Sequence, residues 1–182
     1  LLFFSGCSAT STRPSSEVYQ DTFIDNNGWQ LSEDASAAIR ISDGVMEIEV
    51  HEPGQVAWSM HKSRWENFQL EVTTQQIAGP IDNEYGVLVR MDDDVGFYVL
   101  SISGDGYARA ALFQNDVWTV LGSDWTPYEA IKQGLSINNI KVIAHDTSLS
   151  LSVNDEQVLE IDGRTLSSGQ IELYASTFRE GG

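Results

Sequence analysis

The chain has 182 residues, 41% of them hydrophobic and 20% charged, which is enough apolar material for one domain with a core and too much for wholesale disorder. Acidic side chains outnumber basic ones 27 to 10, and the formal net charge of −17 repels phosphate backbones and anionic headgroups. No Lys/Arg cluster offsets that field, so nucleic acid is excluded as a partner class, and a single cysteine excludes an intrachain disulfide.

The chain starts with Leu1-Leu2-Phe3-Phe4-Ser5-Gly6-Cys7, an apolar run closing in small residues and then the only thiol. This looks like the end of a bacterial signal peptide with a lipobox, the signal for attaching diacylglycerol to Cys7. Phe4 departs from the usual aliphatic residue, and a frayed apolar terminus is the alternative. On the first reading residues 1–7 are a partial signal peptide lacking its charged start, and the mature protein begins at Cys7. It is then extracytoplasmic and tied to the membrane by lipid alone, since no segment is long enough to span a bilayer. Residues 8–20, rich in Ser and Thr, read as a flexible tether, leaving 21–182 as the folded domain.

From Asp21 onward the pattern is one of short alternating runs. Met46–His51, Phe68–Thr73 and Leu149–Val153 each place apolar residues on one side and polar ones on the other. Asp43-Gly44, Asp105-Gly106, Asn154-Asp155 and Asp162-Gly163 lie between such runs, as tight turns require. Only Pro127–Lys132 reads as a helical turn or two. About a dozen short strands predict an all-β, two-sheet antiparallel sandwich.

A family resemblance rests on residues spread over 20–179: Asp21-Thr22-Phe23, Gly28-Trp29, Trp65-Glu66-Asn67-Phe68, Tyr85–Arg90, Gly96–Ser103, Asn139–Val142, Val153-Asn154-Asp155 and Gly169–Tyr174. Together they resemble the bacterial concanavalin A-like lectin/glucanase group, nearest to laminin G-like and 3-keto-disaccharide hydrolase-like domains. The resemblance implies a jelly roll. It leaves activity open, because the group includes lectins, hydrolases and plain interaction modules. It also implies one more strand after Thr177–Gly182, so a last strand is expected to be missing through truncation.

Two constellations carry candidate chemistry. Glu47, Glu49 and Glu52 resemble the acidic strand motif of family 16 glucanases, and alternate residues on a strand share a face. Retaining hydrolysis needs carboxyls about 5–5.5 Å apart, and Glu52 joins the other two only through a bulge. The competing reading is a solvent-facing acidic row on an edge strand. The second constellation follows from pairing Arg90 with Tyr98 and closing a two-residue hairpin at Asp105-Gly106. One face then carries Gly86, Leu88, Arg90, Tyr98, Leu100, Ile102, Arg109 and Phe113. Rings and planar guanidinium donors suit a sugar cleft, although Arg90 stacked structurally on Tyr98 explains the pattern as well. A one-residue slip exchanges the two faces.

Of the tryptophans, Trp65 and Trp118 are expected in the core and Trp125, in a loop, is expected to be exposed. Asp92-Asp93-Asp94 with Asp82 and Glu84 offers oxygens for calcium but lacks the spacing of a dedicated loop, so no cofactor is assigned. The three histidines have no metal-ligand spacing. The expected function is a lipid-anchored module recognising carbohydrate or a cell-surface partner, with Arg90, Tyr98, Arg109 and Trp125 as its contacts. The alternatives are a glycoside hydrolase and an interaction domain without a small ligand.

Overall fold

A computed structural model describes residues 18–178. Cys7, most of the expected tether and the segment 179–182 therefore lie outside the described residues. Among those described there are fourteen strands and no helix. They are β1 (Ser32–Glu33), β2 (Ala37–Ser42), β3 (Val45–Val50), β4 (Val56–Trp65), β5 (Phe68–Gln75), β6 (Glu84–Asp92) and β7 (Gly96–Ser103), followed by β8 (Tyr107–Gln114), β9 (Val117–Val120), β10 (Thr126–Pro127), β11 (Ile137–His145), β12 (Ser148–Val153), β13 (Glu156–Asp162) and β14 (Gly169–Ser176). The expected helical turn at 127–132 is instead the end of β10 and a tight turn, with Ile131 N–H donating to the Tyr128 carbonyl.

The large sheet runs β10-β8-β7-β6-β14-β4, with β9 also paired to β8. A four-stranded sheet, β13-β12-β11-β5, faces it, and every pairing is antiparallel. The sandwich expected from the alternation is present, with one addition. A small third sheet, β1-β2-β3, packs beside β4.

Period-two alternation explains how the layers close. Val87, Val89, Tyr98, Leu100 and Ile102 from the large sheet meet Ile140, Val142, Ala144, Leu149, Leu151 and Val153 from its partner in one buried cluster. Burying each aliphatic side chain contributes roughly 1.5–3 kcal/mol. The large sheet's other face is the outer face, and the candidate site lies on it.

Two turns set which residues reach that outer face. The β7–β8 turn pairs Ile102 with Ala108, leaving a longer loop than two residues, so Arg109 stands opposite Ser101. The β6–β7 pairing runs Val89↔Tyr98 and then Asp92↔Gly96, an extra residue on β6 and hence a bulge. Arg90 occupies the bulge with φ of 54°, an unusual region for a bulky residue. Gly169 opposite it is required, since a Cβ there would lie 2.2 Å from the Arg90 carbonyl carbon.

The expected pairing of Arg90 with Tyr98 is thus corrected by one residue, and β7 turns its other side outward. Arg90 and Tyr98 are both fully buried between the sheets. The Arg90 guanidinium donates to the carbonyls of Gly163, Leu166 and Asp146 at 2.8 Å each and of Glu66 at 3.4 Å. It therefore fastens three loops at one end of the sandwich. The Tyr98 hydroxyl accepts from the backbone N–H groups of Thr165 and Leu166 in the same place.

Candidate functional site

The registers sort the outer face into cross-strand rows. An aromatic row joins Phe97, Phe113 and Trp118. Next to it an aliphatic row runs Met60, Glu172, Leu88, Val99, Ala111, Val120. A mixed row follows with Trp58, Tyr174, Gly86, Ser101 and Arg109, and then a polar one containing Ser176, Glu84 and Ser103. Gly86 is needed because β6 and β7 approach closely there: a Cβ would meet the Leu100 carbonyl oxygen at 2.4 Å.

The polar end of this face is built around Glu84. Its Oε1 accepts from Ser101 Oγ at 2.6 Å, Tyr174 Oη at 2.7 Å and Arg109 Nε at 3.0 Å. Oε2 accepts from Arg109 Nη2 at 2.9 Å, which completes a two-point ion pair. Burial and then the Glu84 charge push the Tyr174 hydroxyl far above its ordinary value, so it acts as a donor. Burial opposes the Arg109 charge, but the hydrogen bond and charge of Glu84 outweigh it and push Arg109 up. With its charge matched, Arg109 turns one face of its guanidinium to Trp125, 4.8 Å from the ring centroid.

Trp125 leads into β10, which pairs with β8 at Tyr107 and Ala108. Its ring meets Phe178 edge-on at 6.1 Å. Trp125, Phe178 and Tyr107, together with Asp82, Ser103 and Asp105, line a cleft of about 310 Å³. The turn below it is braced by Ser103 Oγ donating to Asp105, by Gly134 N–H donating to the Gly104 carbonyl and by Tyr128 N–H donating to Gly106. A second cleft, of about 240 Å³, shares Phe178 with the first and is lined also by Val50, His51, Glu52, Pro53, Gly79, Pro80, Asn83 and Thr177. Rings beside hydroxyl-accepting carboxylates suit the apolar face and equatorial hydroxyls of a sugar.

Of the four contacts expected from sequence, the structure brings Arg109 and Trp125 together; Trp125 lines the cleft, and Arg109 stacks on its ring without lining it. Arg90 and Tyr98 it places in the core, out of reach of any surface ligand. The acidic motif lies elsewhere. Glu47 and Glu49 are exposed on β3, the edge of the small sheet, with Glu49 paired to Arg40 at 3.2 Å. Glu52 borders the second cleft. Trp65 packs against the core as expected, whereas Trp118 is 58% exposed. Among the described residues, no three His, Cys, Asp or Glu side chains gather as a metal site. Of the oxygens considered for calcium, Glu84 is taken up by Arg109, Tyr174 and Ser101, and Asp92 by Arg64 at 2.7 Å.

Sequence reasoning missed Tyr107 and Phe178, which join the cleft from distant parts of the chain, and also Glu172. This carboxyl is fully buried in the aliphatic row, and both its oxygens lack hydrogen-bond partners among the described residues. Burial, and secondarily the charge of Asp93, pushes it up to about 7.

No protein-family model and no curated protein sequence matches the chain. Solved structures do. Carbohydrate-binding module CBM66 from Bacillus subtilis superposes with a TM-score of 0.65 at 15% identity, over 83% of this chain and 93% of that one. A GlcNAcα1-4Gal-releasing endo-β-galactosidase from Clostridium perfringens gives 0.65 at 12%, over 89% and 58%. The Bacillus licheniformis β-glucanase gives 0.58 at 10%, over 86% and 83%. At these identities the likeness establishes the concanavalin A-like jelly roll and leaves activity to the site.

Proposed function

We propose that this concanavalin A-like domain binds carbohydrate in the cleft bounded by Trp125, Tyr107 and Phe178, and that Cys7 carries the lipid that holds it outside the cytoplasm. The observation that carries the binding reading is the Glu84–Arg109–Trp125 stack. It fixes an aromatic ring beside Asp82 and Asp105 in an open cleft, so the contacts are preorganised before a ligand arrives. The carbohydrate-binding module and the glycan-cleaving enzymes that share the fold are consistent with this reading.

The two buried glutamates of the outer face, Glu84 and Glu172, do not form the carboxyl pair that hydrolysis uses. Glu84 pairs with Ser176 while Glu172 pairs with Leu88, so the two glutamates stand four residues apart along paired strands, about 13 Å. Hydrolysis by two carboxyls uses separations of about 5–9.5 Å. A glycan array probed with the folded domain and with Trp125→Ala tests the proposal. Specific retention lost in the variant supports it; retention that is absent, or indifferent to Trp125, ends it. For the anchor, detergent phase partitioning of the full-length protein and Cys7→Ser shows whether the thiol confers membrane association.

A further inference from the structure

The two clefts are not independent. Phe178 is a wall of both, and the loop between β5 and β6 contributes Asp82 to one and Gly79, Pro80 and Asn83 to the other. That loop is held in shape by Gln76, whose Nε2 donates to the carbonyls of Ala78 at 3.0 Å and Pro80 at 2.7 Å. The opposite wall of the second cleft is held by Thr177, whose hydroxyl donates to the Glu52 carbonyl at 2.7 Å and whose N–H donates to Gln55 at 2.9 Å. Both clefts thus have walls that are fastened to the sandwich. At about 310 and 240 Å³, each alone is at or below the low end of ligand-pocket sizes, whereas joined they fall inside that range.

Charge narrows the ligand. Asp82 and Asp105 line the first cleft and Glu52 the second, in a chain of formal net charge −17. Among the described residues, the guanidinium that stacks on Trp125, that of Arg109, is already matched by Glu84 in a two-point pair. A uronate or sulfated sugar would meet repulsion here, and no Lys or Arg among the described residues lines either cleft to offset it.

Resting on the carbohydrate reading above, we infer that the ligand is an uncharged oligosaccharide of at least two units that lies across Phe178, with one end beside Trp125 and the other beside Asn83 and His51. The ring of Phe178, at the junction, offers an apolar face to the linkage region.

Isothermal titration of the folded domain tests this, using ladders of one to six units from cellulose, laminarin and levan and oligogalacturonates as the charged control. Affinity is expected to rise at least tenfold between one unit and three, with oligogalacturonates at least tenfold weaker than neutral chains of equal length. Asn83→Ala and His51→Ala, checked for unchanged thermal unfolding, should remove the length gain and keep the single-unit affinity. Affinity that is flat along every ladder, or a length gain that survives both variants, overturns the spanning ligand while Trp125-dependent binding still upholds the cleft. Tighter binding of the galacturonates overturns the uncharged class. Affinities indifferent to Trp125→Ala bring down the cleft reading and the inference together.

Discussion

The guanidinium of Arg109 sits 4.8 Å from the centroid of the Trp125 ring while Glu84 holds its other side through two nitrogens. The carboxylate sets the arginine, and the arginine sets the ring. A side chain on a loop thereby acquires the positional precision of a strand.

Removal of either end of that stack therefore has different consequences. Trp125→Ala should weaken glycan binding at least tenfold, about 1.4 kcal/mol, with little loss of stability. Glu84→Ala leaves Arg109 without its partner in a mostly buried position, and should destabilise the fold by on the order of 3 kcal/mol as well as weaken binding. Titration calorimetry with chemical denaturation separates the two; equal stability losses would show that the ring has a packing role only.

Arg90 belongs to closure of the sandwich. Replacing it with Ala orphans carbonyls of Gly163, Leu166 and Asp146 and opens a cavity, with an expected loss on the order of 4 kcal/mol in urea unfolding. The fraction that remains folded should bind glycan as the parent does. Weakened binding at full stability would contradict this assignment.

Glu172 predicts a stability slope with pH. Its folded value of about 7 lies above the ordinary carboxyl value of 4.5, so the folded state holds the proton more tightly than the unfolded chain. The stabilisation is complete below about pH 4.5 and fades as pH rises towards 7, a loss of at most about 3 kcal/mol. Glu172→Gln should flatten that part of the curve between pH 5 and 8. Parallel curves for the two proteins would dismiss the buried carboxyl as its source.

His61 acts in the opposite direction. Its Nδ1 accepts from Ser63 N–H at 3.1 Å, so the proton of the neutral ring is on Nε2, facing the Tyr19 hydroxyl at 3.1 Å and the Asn27 carbonyl at 3.3 Å. The ring is packed among Tyr19, Trp29 and Trp65. Burial first, with the Lys62 charge, outweighs Asn27 and Asp21 and lowers its affinity for a proton. The contribution is present above pH 6.5 and lost as pH falls below it. Acid titration followed by tryptophan fluorescence should show the segment carrying Tyr19 and Trp29 loosening from β4 first, and His61→Gln should remove the transition. Simultaneous loss of the whole fold would argue against a local event.

Alternation made the sheets legible, because Phe68–Thr73 and Leu149–Val153 in the sandwich and Met46–His51 in the small third sheet each have one apolar side. It also placed Gly86, Leu88, Arg109 and Phe113 on a common face, as the registers do. β7 defeated it for a physical reason. Phe97 and Val99 are as apolar as Tyr98, Leu100 and Ile102, so both of its sides pass for core and only the flanking turns decide. The bulge at Arg90 and the longer loop at Gly104–Gly106 leave no signature in a hydrophobic pattern. Glu84 was visible only as an acid, because its three donors come from β7, β8 and β14. Tyr107 and Phe178 become neighbours of Trp125 only once the sheet is assembled.

Arg90 and Arg109 also divide the labour of the large sheet along its length. The first knots the loops at one end from inside; the second supports the Trp125 ring at the other end from outside. A designer wishing to retarget this scaffold can therefore randomise positions 51–53, 80–83, 105 and 123–125 as one library, keeping Gly79, Gly104 and Gly106, which have no room or backbone freedom for a side chain. The turns at 66–67, 146–147 and 163–166 are the ones to leave untouched, since variation there trades the frame for nothing at the cleft.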